Sequence, residues 1–120
     1  MKRQGKGRIV NLASAHGLVA SPFKSAYVAA KHGVMGFTKT LALEVAEQGI
    51  TCNAICPGYI ATEMVSAVPE AVLDKIVSGI PAGRLGEAEE IGALTAFLCS
   101  DAAAFMTGST LTANGGQYMV

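Results

Sequence analysis

A chain of 120 residues has the length of one domain, and 51% hydrophobic against 15% charged residues, with 14 Gly, 4 Pro and no Trp, excludes a disordered polymer. Nine Lys and Arg balance nine Asp and Glu, so no overall basic field exists to hold nucleic acid or an anionic membrane. Four of the cations, Lys2, Arg3, Lys6 and Arg8, crowd the start without interleaved aromatics, which reads as a solvated helix end or loop rather than a nucleic-acid arm. Apolar stretches such as Ile91 to Cys99, broken by Gly92 and Thr95, fall short of the ~20 residues of a membrane span. No apolar run of signal-peptide length precedes Asn11 and Ser14, so the expectation is a cytoplasmic chain. Cys52, Cys56 and Cys99 cannot all pair, and Cys52 and Cys56 sit in an apolar run without a nearby His or acid; all three read as small buried hydrophobes, and no metal site is expected.

In chain order, Gly7 to Ser14 (GRIVNLAS) predicts a buried strand, and a loop with Gly17, Ser21 and Pro22 follows. Ser25 to Gln48, rich in Ala, Leu, Lys and Glu and stopped by Gly49, predicts a long helix. Gly33 and Gly36 share a face of that helix and could admit a second helix closely. Ile50 to Cys56 (ITCNAIC) predicts a second buried strand ended by Pro57-Gly58. Pro69 suits the first turn of a helix running to about Ser78. Ile80 to Gly86 reads as a loop, Glu87 opens a helix to Cys99, and Thr107 to Ala113 predicts a last strand. This alternation is that of a parallel α/β sheet, whose ligands gather beyond the carboxyl ends of the strands, where Ser14 and Pro57-Gly58 fall. No internal repeat or linker points to a second domain.

Tyr27 and Lys31 stand four positions apart and so share a helix face, with the ammonium near the phenol. A nearby cation favours the phenolate and makes a phenol a better acid or base. Ser14, thirteen positions earlier, could present its hydroxyl to the same substrate oxygen. Taken alone, the pair is more commonly a piece of surface packing, His16 a polar loop residue and Lys24 a solvated charge.

Taken together, Gly-Arg-Ile-Val-Asn-Leu-Ala-Ser14, Tyr27-Val-Ala-Ala-Lys31, Cys-Pro57-Gly58-Tyr-Ile60-Ala-Thr62, Arg84-Leu-Gly-Glu-Ala-Glu-Glu and Thr107-Gly-Ser-Thr-Leu-Thr-Ala-Asn114-Gly115-Gly116 occur in an order and spacing that resembles the short-chain dehydrogenase/reductase family. The resemblance runs from about Met1 to Val120. It implies a Rossmann-like, doubly wound parallel sheet and a homo-oligomeric enzyme that uses NAD or NADP on a small molecule. Within it, Tyr27 is the general acid/base, Ser14 polarises the substrate carbonyl, and Lys31 lowers the phenol pKa and holds the nicotinamide ribose alongside Tyr27. Pro57 and Gly58 open the loop that receives the nicotinamide, with the backbone of Ile60 and the hydroxyl of Thr62 near its carboxamide.

The segment from Ser14 through His16 and Lys24 to Tyr27 resembles the branch of that family that interconverts 3-hydroxybutyrate and acetoacetate, where residues at the positions of His16 and Lys24 bind the substrate carboxylate. Ile80-Pro-Ala-Gly-Arg-Leu-Gly and Asn114-Gly-Gly-Gln-Tyr-Met-Val120 instead resemble the branches that reduce 3-oxoacyl-carrier-protein or acetoacetyl-CoA, and no glutamine stands near Ser66-Ala67-Val68. A third reading is a non-catalytic module whose Gly33/Gly36 helix and last strand serve oligomer contacts. The family's Gly-rich dinucleotide fingerprint, its ribose-reading residue, its Asn-Asn-Ala-Gly segment and its tetrad asparagine have no counterpart here. The expectation is therefore the C-terminal half of the fold, with about three strands: a single partial Rossmann-like domain over residues 1–120, with an unpaired edge on its first strand and little activity in isolation.

Overall fold

The computed structural model describes all residues from Met1 to Val120. After a single 3₁₀ turn at Lys2–Gln4, the chain enters β1 (Gly7–Leu12), which stops two residues short of Ser14. Helix α1 covers Ser25–Val45, and a 3₁₀ turn, Ala46–Gln48, replaces its expected last turn. Gly49 closes that turn in the left-handed region at φ 70°, and a Cβ there would run into the carbonyl oxygen of Gly5. β2 covers Ile50–Pro57. A four-residue helix, α2 (Glu63–Ser66), then forms in what the sequence leaves as loop. In α3 (Glu70–Ser78), Pro69 is the N-cap rather than part of the first turn. Helix α4 (Ala88–Cys99) opens with a reciprocal capping box between Glu87 and Glu90. β3 (Thr110–Ala113) begins three residues later than the expected strand.

The three strands are parallel in the order β1-β2-β3, with Gly7 opposite Ile50 and Leu12 opposite Ile55 on one side, and Ala54 opposite Thr110 on the other. β2 takes the centre because its side chains can be buried on both faces, which is what a strand covered by helices above and below requires. Its side chains alternate between the faces. Ala54 and Cys56 meet Met35 of α1 on one face, and Ile55 meets Leu98 of α4 and Ala103 on the other. Two amide side chains, Asn53 of β2 and Asn11 of β1, are tied down as they go under. Asn53 donates from Nδ2 to the Met106 carbonyl at 2.9 Å and accepts from the Ser109 N–H at 3.0 Å. Asn11 donates to Thr38 Oγ1 at 2.9 Å, and Thr38 passes its own proton to the Val34 carbonyl at 2.7 Å.

Cys52 and Cys56 lie in this core, and burial pushes both thiols up from their ordinary pKa. Cys99 is exposed, contrary to expectation: it ends α4, adjacent to Leu98, which takes the inward position. Among the basic residues at the start, Lys6 pairs with Asp101 at 2.7 Å across exposed surface, and Arg8 donates to the Gly7 carbonyl at 3.0 Å. β1 pairs with β2 alone, so its other edge is open as expected. A Cβ on Gly33 or Gly36 would meet nothing within 4 Å, so no helix of this chain uses that face. No helix is long and apolar enough to cross a membrane.

Because Leu98 is wholly buried against Ile55, Leu98→Ala is expected to cost about 2–5 kcal/mol through lost transfer energy and the cavity left behind. The urea midpoint of unfolding checks this, and a shift corresponding to under about 0.5 kcal/mol would mean that α4 does not pack on β2 in solution.

Candidate active site

Where β1 ends, the Ala13 N–H donates to the Ile55 carbonyl at 2.8 Å and delivers the chain to Ser14 beyond the carboxyl edge of the sheet. Ser14 is extended and caps a 3₁₀ turn at Ala15–Gly17, its Oγ accepting from the His16 N–H at 3.2 Å. That bond uses a lone pair and leaves the Ser14 proton free to be donated. The turn presses on α1, since a Cβ on Gly17 would lie 3.0 Å from the Lys31 carbonyl oxygen. A glycine here therefore sets how closely Ser14 approaches the helix that carries Tyr27. Phe23 enters α1 at φ 64°, unusual for a side-chain-bearing residue, and Lys24 is the helix N-cap.

Tyr27 and Lys31 share a face of α1 as the spacing predicts, with the ammonium over the phenol ring and no hydrogen bond between them. Lys31 Nζ lies 5.7 Å from the ring centroid and donates to the Leu12 carbonyl at 3.2 Å. The His16 ring meets Tyr27 edge-on, with centroids 5.8 Å apart. Burial, and then the Lys24 charge, lower the His16 pKa, so its imidazole is neutral near pH 7.

Beyond the strand ends lies a cleft of about 610 Å³. Ser14, His16, Lys24 and Tyr27 form one wall, and Pro57, Gly58, Ile60 and Thr62 line the other. Of the residues expected to act together, only Lys31 does not line the cleft; it stands behind Tyr27. A Cβ on Gly58 would sit 2.7 Å from that of Asn114, so only glycine lets the chain leave β2 past the end of β3. Ile60 is held by reciprocal bonds around it, the Ala61 N–H to the Gly86 carbonyl at 2.8 Å and the Gly86 N–H to the Tyr59 carbonyl at 2.9 Å. Thr62 caps α2 by accepting from the Val65 N–H at 3.3 Å, which leaves its hydroxyl proton available to a ligand. Tyr59, Met64, Val65, Gln117 and Tyr118 also line the cleft. The sequence reading assigned none of them to the site; for Gln117 and Tyr118 the signal was the segment after Asn114, read only for its resemblance.

The family model described as enoyl-(acyl carrier protein) reductase matches residues 1–117. The chain is 55% identical to an acetoacetyl-CoA reductase of Shinella zoogloeoides, over 100% of this chain and 50% of the relative. It is 50% identical to a D-beta-hydroxybutyrate dehydrogenase of Rhizobium meliloti (strain 1021), over 97% of this chain and 50% of that protein. Its identity to a 3-oxoacyl-[acyl-carrier-protein] reductase FabG of Haemophilus influenzae is 48%, over 99% of this chain and 49% of the relative. The chain thus spans about half the length of the curated relatives it matches.

Behind the second wall, Arg84 donates to both carboxylate oxygens of Glu90, at 2.7 and 2.9 Å. With a further bond from the Glu87 N–H, this holds the Glu90 carboxyl down at about 2. A pKa lowered by folding contributes stability above the ordinary carboxylate value of about 4.3, and that contribution is lost as pH falls through the folded value. The carbon resonance of the Glu90 carboxyl should therefore titrate near 2 in this protein and move up in Arg84→Ala. The stability difference between the two proteins should vanish at the acid end; equal midpoints would show that the pair does not form.

Proposed function

This chain belongs to the short-chain dehydrogenase/reductase family, and on that premise we propose that its cleft serves NAD(P)-dependent interconversion of 3-hydroxybutyrate and acetoacetate. The observation that carries the reading is that a cation, Lys24, and the His16 imidazole share one cleft with Ser14 and Tyr27. A free 3-oxo acid has the two groups this arrangement can meet, a carboxylate for Lys24 and a carbonyl for Ser14 and Tyr27. The 120 residues act in this reading as one partial Rossmann-like domain.

In the reducing direction Ser14 donates its free hydroxyl proton to the C3 oxygen and polarises the carbonyl. Tyr27 then gives its phenolic proton to that oxygen as it becomes a hydroxyl, and in the oxidising direction takes it back. Lys31, anchored to the Leu12 carbonyl, keeps its positive charge beside the Tyr27 ring. The second wall suits the nicotinamide end of the cofactor: Thr62 has an uncommitted hydroxyl proton, and the backbone at Ile60 is fixed from both sides. Pro57, Gly58, Ile60 and Thr62 would hold that end, with Tyr27 and Lys31 reaching its ribose. NAD or NADP supplies the hydride when bound there.

A second reading, reduction of an acetoacetyl or longer 3-oxoacyl thioester, is favoured by the higher identity to the acetoacetyl-CoA reductase, 55% against 50%. The cytoplasm is the proposed compartment. Homo-oligomer formation is supported by the open glycine face of α1 and by Phe37 and Leu43, which α1 leaves exposed.

In an active polypeptide carrying residues 1–120, Tyr27→Phe is expected to lower turnover by a factor of about 10²–10⁴ without changing assembly, since it removes only the proton donor. Lys24→Ala should raise KM for acetoacetate by about tenfold with kcat little changed, and leave a thioester substrate unaffected. Steady-state kinetics on both substrates check this. An equal loss on both would remove the free-acid reading, and an unimpaired Tyr27→Phe would remove the oxidoreductase reading itself.

A further inference from the structure

Asn114 ties the chain after β3 into a turn. Its Oδ1 accepts from the Gly116 N–H at 3.0 Å, its Nδ2 donates to the Tyr118 carbonyl at 2.8 Å, and its carbonyl accepts from the Gln117 N–H at 3.2 Å. Gly115 and Gly116 take φ values of 63° and 86°, and a Cβ on Gly115 would lie 2.7 Å from Ile80 Cγ2. The turn is therefore both tightly seated and internally bonded without any help from the Gln117 side chain. What it accomplishes is to bring Gln117 to the cleft that holds Lys24, His16 and Tyr27.

Gln117 Oε1 is buried and has no hydrogen-bond partner. The other two side-chain atoms in this condition, on Gln48 and Thr51, belong to residues that do not line the cleft. Buried polar atoms are bonded in the great majority of cases, so an unpartnered one calls for a cause. The Gln117 NH₂ also bonds to nothing in the protein, and unlike Oε1 it is not closed off from solvent, so its donors are uncommitted. Gln117 can thus offer donors to a ligand.

We infer that Gln117 is a positioning residue for the acid end of the substrate, its NH₂ donating to the carboxylate whose charge Lys24 meets. This deepens the 3-hydroxy acid reading above and rests on it. A neutral donor lining the same cleft as Lys24 adds direction to the ion pair, because an ammonium on a flexible stem is a point charge, whereas a planar carboxamide held by a bonded turn sets an angle. The carboxylate is thereby fixed at one end of the cleft and the C3 oxygen faces Ser14 and Tyr27.

The test titrates 3-hydroxybutyrate, and separately its uncharged methyl ester, into the protein and into Gln117→Ala, Gln117→Glu and Lys24→Ala, reading the His16 ring resonances, with circular dichroism to verify folding. Gln117→Ala should weaken binding of the acid by about fivefold, the loss of one hydrogen bond to a charged group. Gln117→Glu should weaken it by about tenfold or more through like-charge repulsion while binding the ester as the parent does. Parent-like binding of the acid by both Gln117 variants, with Lys24→Ala impaired, overturns the inference and leaves the 3-hydroxy acid reading standing. Equal loss of acid and ester in Gln117→Glu also overturns it, as a structural effect. No saturable response of the parent protein to the acid removes the 3-hydroxy acid reading and this inference together.

Discussion

Burial of β2 on both faces and along both edges is the constraint from which the cleft follows. Its alternate residues serve two opposed layers: Cys56 and Ala54 are matched to α1, and Ile55 is matched to Leu98. Parallel pairing then sets where the neighbouring strands end relative to it, with Leu12 opposite Ile55 and Ala113 opposite Pro57. Ser14, Gly58 and Asn114 leave the sheet on the same side, and every wall of the cleft is carried by a segment that departs from one of those ends. A register slip of one residue would exchange the two layers, which the bulk of Ile55 and the smallness of Ala54 forbid.

The site built on that frame separates holding from reacting. Lys31 spends one donor on the Leu12 carbonyl at the end of β1, and so its charge is tethered to the sheet. The serine hydroxyl is oriented by the turn it caps. Thr62 does the same at α2, and Asn114 at the turn after β3. In each case a short side chain saturates local backbone groups and leaves one polar atom, or a neighbour, free for a ligand. These caps cost little to form because they satisfy backbone groups that a chain leaving a strand would otherwise expose.

The strands and the long helix were legible because their burial is periodic or continuous. ITCNAIC is apolar or small throughout, and only a strand buried on both faces tolerates such a run. Their boundaries were less legible: β2 runs on to Pro57, but β1 stops at Leu12 because Ser14 caps the turn at Ala15–Gly17 and takes the chain off the sheet, a matter of tertiary structure. Helix α2 has only four residues and so carries no periodicity to read. Cys99 defied its hydrophobic reading because α4 turns only one side toward β2, and Leu98 already occupies it. Ser14, Tyr27, Lys24 and the Pro57–Thr62 loop could be named from their motifs. Gln117 could not be given a place, since its approach to the cleft comes from a turn at the far end of the sequence and is set by Asn114 and two glycines rather than by any spacing to Tyr27.

The central claim is that this cleft stands on a β2 strand locked between two others, and native-state hydrogen exchange reads that lock directly. The amides of Ala54 and Ile55, the two positions of β2 with both neighbours in place, should exchange slowest of all. Protection should fall off through β3, which is only four residues long, and be least in α3, which has no buried residue. If the β2 amides exchange as fast as those of α3, the sheet does not hold in solution, and the walls that bring Ser14, Tyr27 and Lys24 together are not assembled.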